Sequence, residues 1–189
     1  MDVALTDLWL PILLSAVGVF VVSSILHMVL PIHKGDTGEM PGEAQILEVM
    51  RSHGVNPGQY MFPCPKSMKE MGSPEMIAKY EQGPVGQLNV MRPGMPSMGR
   101  SLGLWFLYSL LVGVLAAYTA TLALPRGADY MLVFRFVATV AVAGYAIGVV
   151  NDTIWKGVRW CVTIKYVVDG LFYALVTGGV FASLWPAAT

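Results

Sequence analysis

Apolar residues run from Leu8 to Leu30, from Leu102 to Leu124, from Tyr130 to Val150 and most clearly from Tyr166 to Trp185. Each run is close to the ~20 residues an α-helix needs to cross the hydrocarbon core of a bilayer. The pattern predicts an all-α membrane protein with four transmembrane helices. Pro11 falls in the first turn of the first helix, where its missing N–H is harmless. A cleaved signal peptide is the rival reading of that run, but the residues before it, Asp2 and Asp7, are acidic, the run is long for an h-region, and no small-residue cleavage site follows. The second run stops at Pro125-Arg126-Gly127, and so short a link to Tyr130 makes helices two and three an antiparallel hairpin. Between Ile154 and Ile164, Trp155, Val158, Trp160 and Val162 alternate with Lys156 and Arg159, which predicts an interfacial segment over 154–164.

The chain thus divides into a first transmembrane helix (1–31), a polar insertion (32–100) and three further transmembrane helices (101–189). The insertion reads as a small α+β domain. Pro41 to His53 carries Ile46, Leu47, Val49 and Met50 on one side and meets Gly54 where a helix C′ glycine belongs. Ser73 followed by Pro74 is an N-cap with proline at N1, and that helix should end at Gly83. Gln59 to Phe62 and Val85 to Val90 have strand composition. So small a domain supplies little core of its own and should lean on the membrane, on the helices or on a partner.

Composition agrees with lipid as the main solvent: 55% of residues are hydrophobic and 13% charged, against ~25% charged in ordinary soluble domains. The net charge of zero gives no support for nucleic acid, whose binders show a basic excess. Charge instead sets orientation. Lys34, Arg51, Arg92 and Arg100 in the insertion and Lys156, Arg159 and Lys165 in the last loop stand against Arg126 alone on the other side. By the positive-inside rule the insertion and the last loop are cytoplasmic and both termini periplasmic. Trp9 and Trp185 then fall at the outer interface, and Trp105, Trp155 and Trp160 at the inner one. Gly144 and Gly148, and the ridge Ala174, Gly178, Ala182, allow close helix approach, either within the bundle or onto another subunit.

Candidate chemistry is sparse. His27, Arg135 and Asp169 are the intramembrane ionisable residues, a class that usually faces the bundle interior or water. Counting helical rise, His27 and Asp169 lie at similar depth near the cytoplasmic end and can meet, whereas Arg135 lies toward the outer end. A start of helix four near Trp155 would sink Asp169 to the depth of Arg135 and pair those two instead. Tyr108, Tyr145 and Asn151 fall in the cytoplasmic half and can join a polar cluster. Nine methionines fall in the insertion; with Cys64 and His53, Met91, Met95 and Met98 are weak candidates for a soft ion such as Cu(I). Methionine also fills irregular cores and adaptable binding surfaces, the more ordinary reading. Cys64 and Cys161 are the only cysteines, form no CxxC pair and read as free thiols. A single intramembrane histidine cannot make a bis-histidine haem site within one chain.

No GxGxxG, Walker A, HExxH, GxSxG or CxxC pattern occurs, and no internal repeat marks a secondary transporter. The stretches Ser24-Ile25-Leu26-His27-Met28-Val29-Leu30-Pro31, Gly58-Gln59-Tyr60, Lys69-Glu70-Met71-Gly72-Ser73-Pro74-Glu75, Gly83-Pro84-Val85-Gly86 and Met98-Gly99-Arg100-Ser101-Leu102-Gly103 resemble a family of small uncharacterised bacterial membrane proteins. The resemblance covers the whole chain and implies a bacterial inner membrane, but no activity and no site residues. The sequence therefore leans away from an enzyme and toward a non-catalytic accessory or structural subunit of an inner-membrane complex, with the bilayer and other membrane subunits or its own copies as partners and no cofactor. A small transporter or ion-conducting oligomer using His27 and Asp169, and a copper- or haem-binding membrane protein, are the alternatives.

Overall fold

The computed structural model describes residues 3–188; Asp2, counted above in the acidic tail, lies outside them. In chain order its elements are α1 (Trp9–Ser24), α2 (Glu43–Ser52), β1 (Gly58–Phe62), α3 (Met68–Met71), α4 (Pro74–Gln82), β2 (Gly86–Val90), α5 (Met98–Thr121), α6 (Tyr130–Val142), α7 (Val150–Lys156) and α8 (Trp160–Ser183). Two compact units result: Thr37–Pro96 is one, and the residues up to Asp36 together with those from Ser97 onward are the other.

In the larger unit, Leu5–Val29, Met98–Thr121, Tyr130–Lys156 and Trp160–Ser183 are four helices long and apolar enough to cross a membrane. α1 packs on α5 and α8, and α6 packs on the same two helices, which closes a ring in the order α1, α5, α6, α8. One end of its core gathers Leu8, Ala116, Val133, Val137 and Phe181, the other Val19, Val112, Tyr145, Tyr173 and Ala174. The small-residue ridge of α8 is spent inside this ring. A Cβ on Gly178 would come within 2.9 Å of Ala138, and one on Gly170 within 2.8 Å of Ala146. The Gly144/Gly148 pair divides: a Cβ on Gly144 would come within 3.0 Å of Val112, while one on Gly148 would meet nothing within 4 Å. The outer face of α5 shows Leu104, Leu107, Leu111 and Leu115, all exposed.

The fourth long helix starts earlier than its composition suggests. Gly157, at φ +71, ends α7 in a left-handed turn, and α8 then begins at Trp160. Residues 154–164 therefore do not form one continuous helix. They split between the end of α7, a turn and the first turn of α8, with the Thr153 and Thr163 hydroxyls hydrogen-bonded across the break. The opposite end of the bundle is tied by an Asp7–Arg126 ion pair, by the Gly127 N–H donating to Pro186 O at 2.8 Å and by the Trp185 indole donating to Pro125 O at 2.9 Å.

The smaller unit has the predicted elements, plus one short helix, α3, capped by the Ser67 hydroxyl. α2 ends in a Schellman turn: Gly54, at φ +63, donates to Arg51 O and Val55 donates to Met50 O. The Ser73 hydroxyl accepts from the Met76 N–H at the start of α4, and Gly83 closes that helix. β1 and β2 pair antiparallel from Gly58↔Val90 to Phe62↔Gly86. Tyr80 on α4 donates to Pro63 O at 3.3 Å, joining helix to hairpin, and Met76 is the buried side chain beneath.

Candidate functional site

The site begins with a departure from α-helix. After Ser24 the chain widens into a π turn over Ile25–Val29, closed by Leu30 N–H to Ile25 O at 3.0 Å, a distortion common at functional positions. Leu30 is extended and Pro31–His33 form a tight 3₁₀ turn. The chain is thereby turned back toward α8, which holds it: Lys165 Nζ donates to Ile32 O at 2.8 Å and Asp36 Oδ1 at 2.6 Å, and Arg159 donates to Gly35 O at 3.0 Å and Asp36 O at 3.2 Å. Residues 32–36, expected at the start of the insertion, are thus a strap belonging to the helical unit.

The strap delivers His33. Its Nδ1 lies 2.6 Å from Asp36 Oδ2, a hydrogen bond in which Nδ1–H donates and the carboxylate accepts, and Nε2 is the nitrogen directed at α8. Nε2 is 2.9 Å from Asp169 Oδ2 on α8, close but without the alignment of a hydrogen bond, and both atoms are cut off from solvent with no other partner. His27, on the π turn, brings Nε2 to 3.8 Å from the same oxygen and shares a hydrogen bond with the Tyr173 hydroxyl at 3.3 Å. The two imidazoles lie 4.3 Å apart with Tyr166 beside both. Outside the helices, the Lys165 ammonium, and after it His33, hold the Asp36 carboxyl below the usual carboxylate range by hydrogen bonding to its charged form.

A pocket of about 540 Å³ opens beside this cluster, with Ser23, His27 and Met28 from the first span, Met98, Leu102 and Trp105 from α5, Tyr145, and Tyr166, Asp169 and Tyr173 from α8. Trp105 donates to Ser23 Oγ at 2.9 Å and lies against Tyr108, Tyr145 and Tyr173. Met28 and Met98 are 75% and 70% exposed and stand at the mouth.

His27 and Asp169 meet, as their depths predict. Arg135 is exposed on α6, and since Asp169 faces two histidines the alternative Arg135–Asp169 pairing is not realised. Tyr145 lines the pocket; Tyr108 instead donates to Gly144 O in a second π turn, and Asn151 is exposed on α7. Cys64, His53, Met91 and Met95 are exposed in the smaller unit, and Met98 opens α5 in the larger one. Among the described residues, the one group of three His, Cys, Asp or Glu side chains within coordinating reach is His27, His33 and Asp169, whose ligand atoms all lie within 4.8 Å of one another.

His33, Asp36, Tyr166 and Tyr173 are absent from the sequence prediction. The available signals were a second histidine six positions after the first and an aspartate three positions beyond it. Chemically the group can hydrogen-bond a polar head or hold a cation at the inner end of an apolar pocket. No protein-family model matches the chain, and neither a curated protein nor a solved structure is similar to it.

Proposed function

We propose that this chain is an integral membrane protein that holds a lipid-soluble small molecule with a polar head, the head at His27, Tyr166 and Asp169 and the apolar remainder along Leu102 and Trp105. The observation that carries this reading is the pocket. Its 540 Å³ falls within the ~300–1,000 Å³ of small-molecule sites, and its mostly apolar surface includes His27, Tyr166 and Asp169 as polar groups, the usual form of such sites. The four long helices with exposed leucines on their outer faces support a bilayer as the surroundings. The Lys and Arg asymmetry supports a cytoplasmic insertion and periplasmic termini in a bacterial inner membrane, with the pocket near the cytoplasmic border. An accessory-subunit role draws on the small-residue faces of the helices, and those of α8 pack within the bundle, so the pocket is the more specific feature.

The test is extraction in a gentle detergent, native mass spectrometry and solvent extraction of what is retained. A Ser101→Trp variant fills the pocket, which Ser101 lines from α5. A molecule of a few hundred daltons should travel with the wild-type chain and be lost from the variant. An empty wild-type chain, or equal retention by the variant, would sink the reading.

A further inference from the structure

We infer that His27, His33 and Asp169 form a binding site for one divalent first-row transition ion, and this stands independently of what fills the pocket. The donor set is two imidazole nitrogens and one carboxylate oxygen, which suits Zn(II), Mn(II) or Fe(II) and not the Cu(I) suggested by methionine and cysteine in the insertion.

Spacing agrees. Two protein atoms bound to the same ion at ~2.1 Å lie about 3.0–3.4 Å from each other. His33 Nε2 and Asp169 Oδ2 are 2.9 Å apart and His27 Nε2 is 3.8 Å from that oxygen. All three ligand atoms lie within 4.8 Å of one another, so His27 has to swing toward the other two, and its side chain is 35% exposed and stands on the π turn. The Tyr173 hydroxyl, now 3.3 Å from His27 Nε2, gives up that contact when the ion binds.

Burial supplies the independent reason. The Asp169 side chain is only 4% exposed, and its Oδ2 and the facing His33 Nε2 are buried without a hydrogen-bond partner. A buried carboxylate left so is costly unless a cation or donor meets it. A doubly protonated His33 bridging Asp36 and Asp169 is the competing explanation, and it requires an aligned Nε2–H that the geometry does not provide. The remaining contacts have the form found behind metal-bound histidines. The Asp36 carboxylate accepts a hydrogen bond from His33 Nδ1–H at 2.6 Å and so favours the tautomer that presents Nε2 as a ligand. Lys165 and Arg159 fix the strap that carries them both. Three protein donors leave coordination positions for water or for a molecule in the pocket.

The experiment uses the full chain in detergent, stripped with a chelator and re-exposed to Zn(II), with metal per chain measured after gel filtration. Co(II) absorption serves as a second readout of imidazole and carboxylate coordination. The wild type and a Cys64→Ser/His53→Ala control should each retain one ion. His33→Ala and Asp169→Asn should lose it, and Asp36→Asn, which keeps all three ligands and tests the site without removing one, should bind roughly 10- to 100-fold more weakly. His27→Ala, at the most exposed of the three positions, covers the case in which a buried variant fails to fold. No stoichiometric retention by the wild type would overturn the inference in favour of the bridging imidazolium. Retention unchanged in the folded site variants, or lost in the Cys64/His53 control, would overturn it in favour of another site.

Discussion

His33 Nε2 and Asp169 Oδ2 face each other at 2.9 Å, both shut off from solvent, although one belongs to a turn after the first span and the other to the middle of the last long helix. That meeting depends on the strap 31–36 being turned back onto α8. Several consequences can be measured.

Lys165 should matter more than a partly exposed lysine usually does, because it joins the strap's backbone and the Asp36 carboxylate in one contact. Charged hydrogen bonds of this kind contribute ~1.5–3 kcal/mol each at most, and Lys165 is 32% exposed, so screening puts the effect at the low end. Lys165→Met should raise amide hydrogen exchange in residues 31–36 while leaving α5 and α6 protected. Unchanged exchange in the strap would mean that Lys165 does not hold it.

The helical glycines should separate sharply. Gly170→Ala places a methyl 2.8 Å from the Ala146 backbone and should destabilise the bundle by roughly 1–3 kcal/mol through overpacking. Gly148→Ala meets nothing within 4 Å and should be neutral or slightly stabilising, given the higher helix propensity of alanine. Thermal unfolding of the two variants in the same detergent checks the contrast. A Gly148→Ala loss as large as that of Gly170→Ala would point to a neighbour at Gly148 from another chain.

In the insertion, Ser73→Ala removes the hydroxyl that accepts from Met76 N–H and should cost about 1 kcal/mol of local stability. Earlier proteolytic cleavage around α4, with the long helices unaffected, is the expected readout; cleavage at the wild-type rate would count against that cap.

Much of this architecture was legible in the sequence because it rests on local signals. The apolar runs mark the four long helices, Ser73-Pro74 and Gly54 mark helix ends, and the two β-rich stretches mark the hairpin. The site was half legible. Helical rise alone put His27 and Asp169 at one depth, but His33 lies beyond Pro31, where the apolar run ends and the composition turns polar. Its place is fixed by contacts with Arg159 and Lys165, distant in sequence, and no periodicity encodes them. Tyr166 and Tyr173 were hidden for the opposite reason, since a tyrosine within an apolar run carries no mark that separates a pocket wall from a packed core. The start of α8 was missed because a left-handed glycine at 157 outweighs the amphipathic pattern on either side of it.

Orientation has its own probe. Cys64 and Cys161 are both exposed, so a Cys161→Ser chain leaves one accessible thiol in the insertion. A membrane-impermeant thiol reagent should leave Cys64 unmodified in sealed cells and modify it after permeabilisation. Modification in sealed cells would reverse the proposed topology and place the His27/His33/Asp169 end on the periplasmic side.

The meeting of strap and α8 is tested most directly by a double-mutant cycle on His33 and Asp169, read as stability of the metal-free chain in one detergent. Residues in contact give coupling of ~0.5–3 kcal/mol of either sign, whereas distant sites add within ~0.5 kcal/mol. The account predicts that the effects of His33→Ala and Asp169→Asn do not add, the double variant departing from the sum of the two singles by more than ~0.5 kcal/mol. Strictly additive losses would contradict it, because two side chains that do not meet have no shared contact to lose.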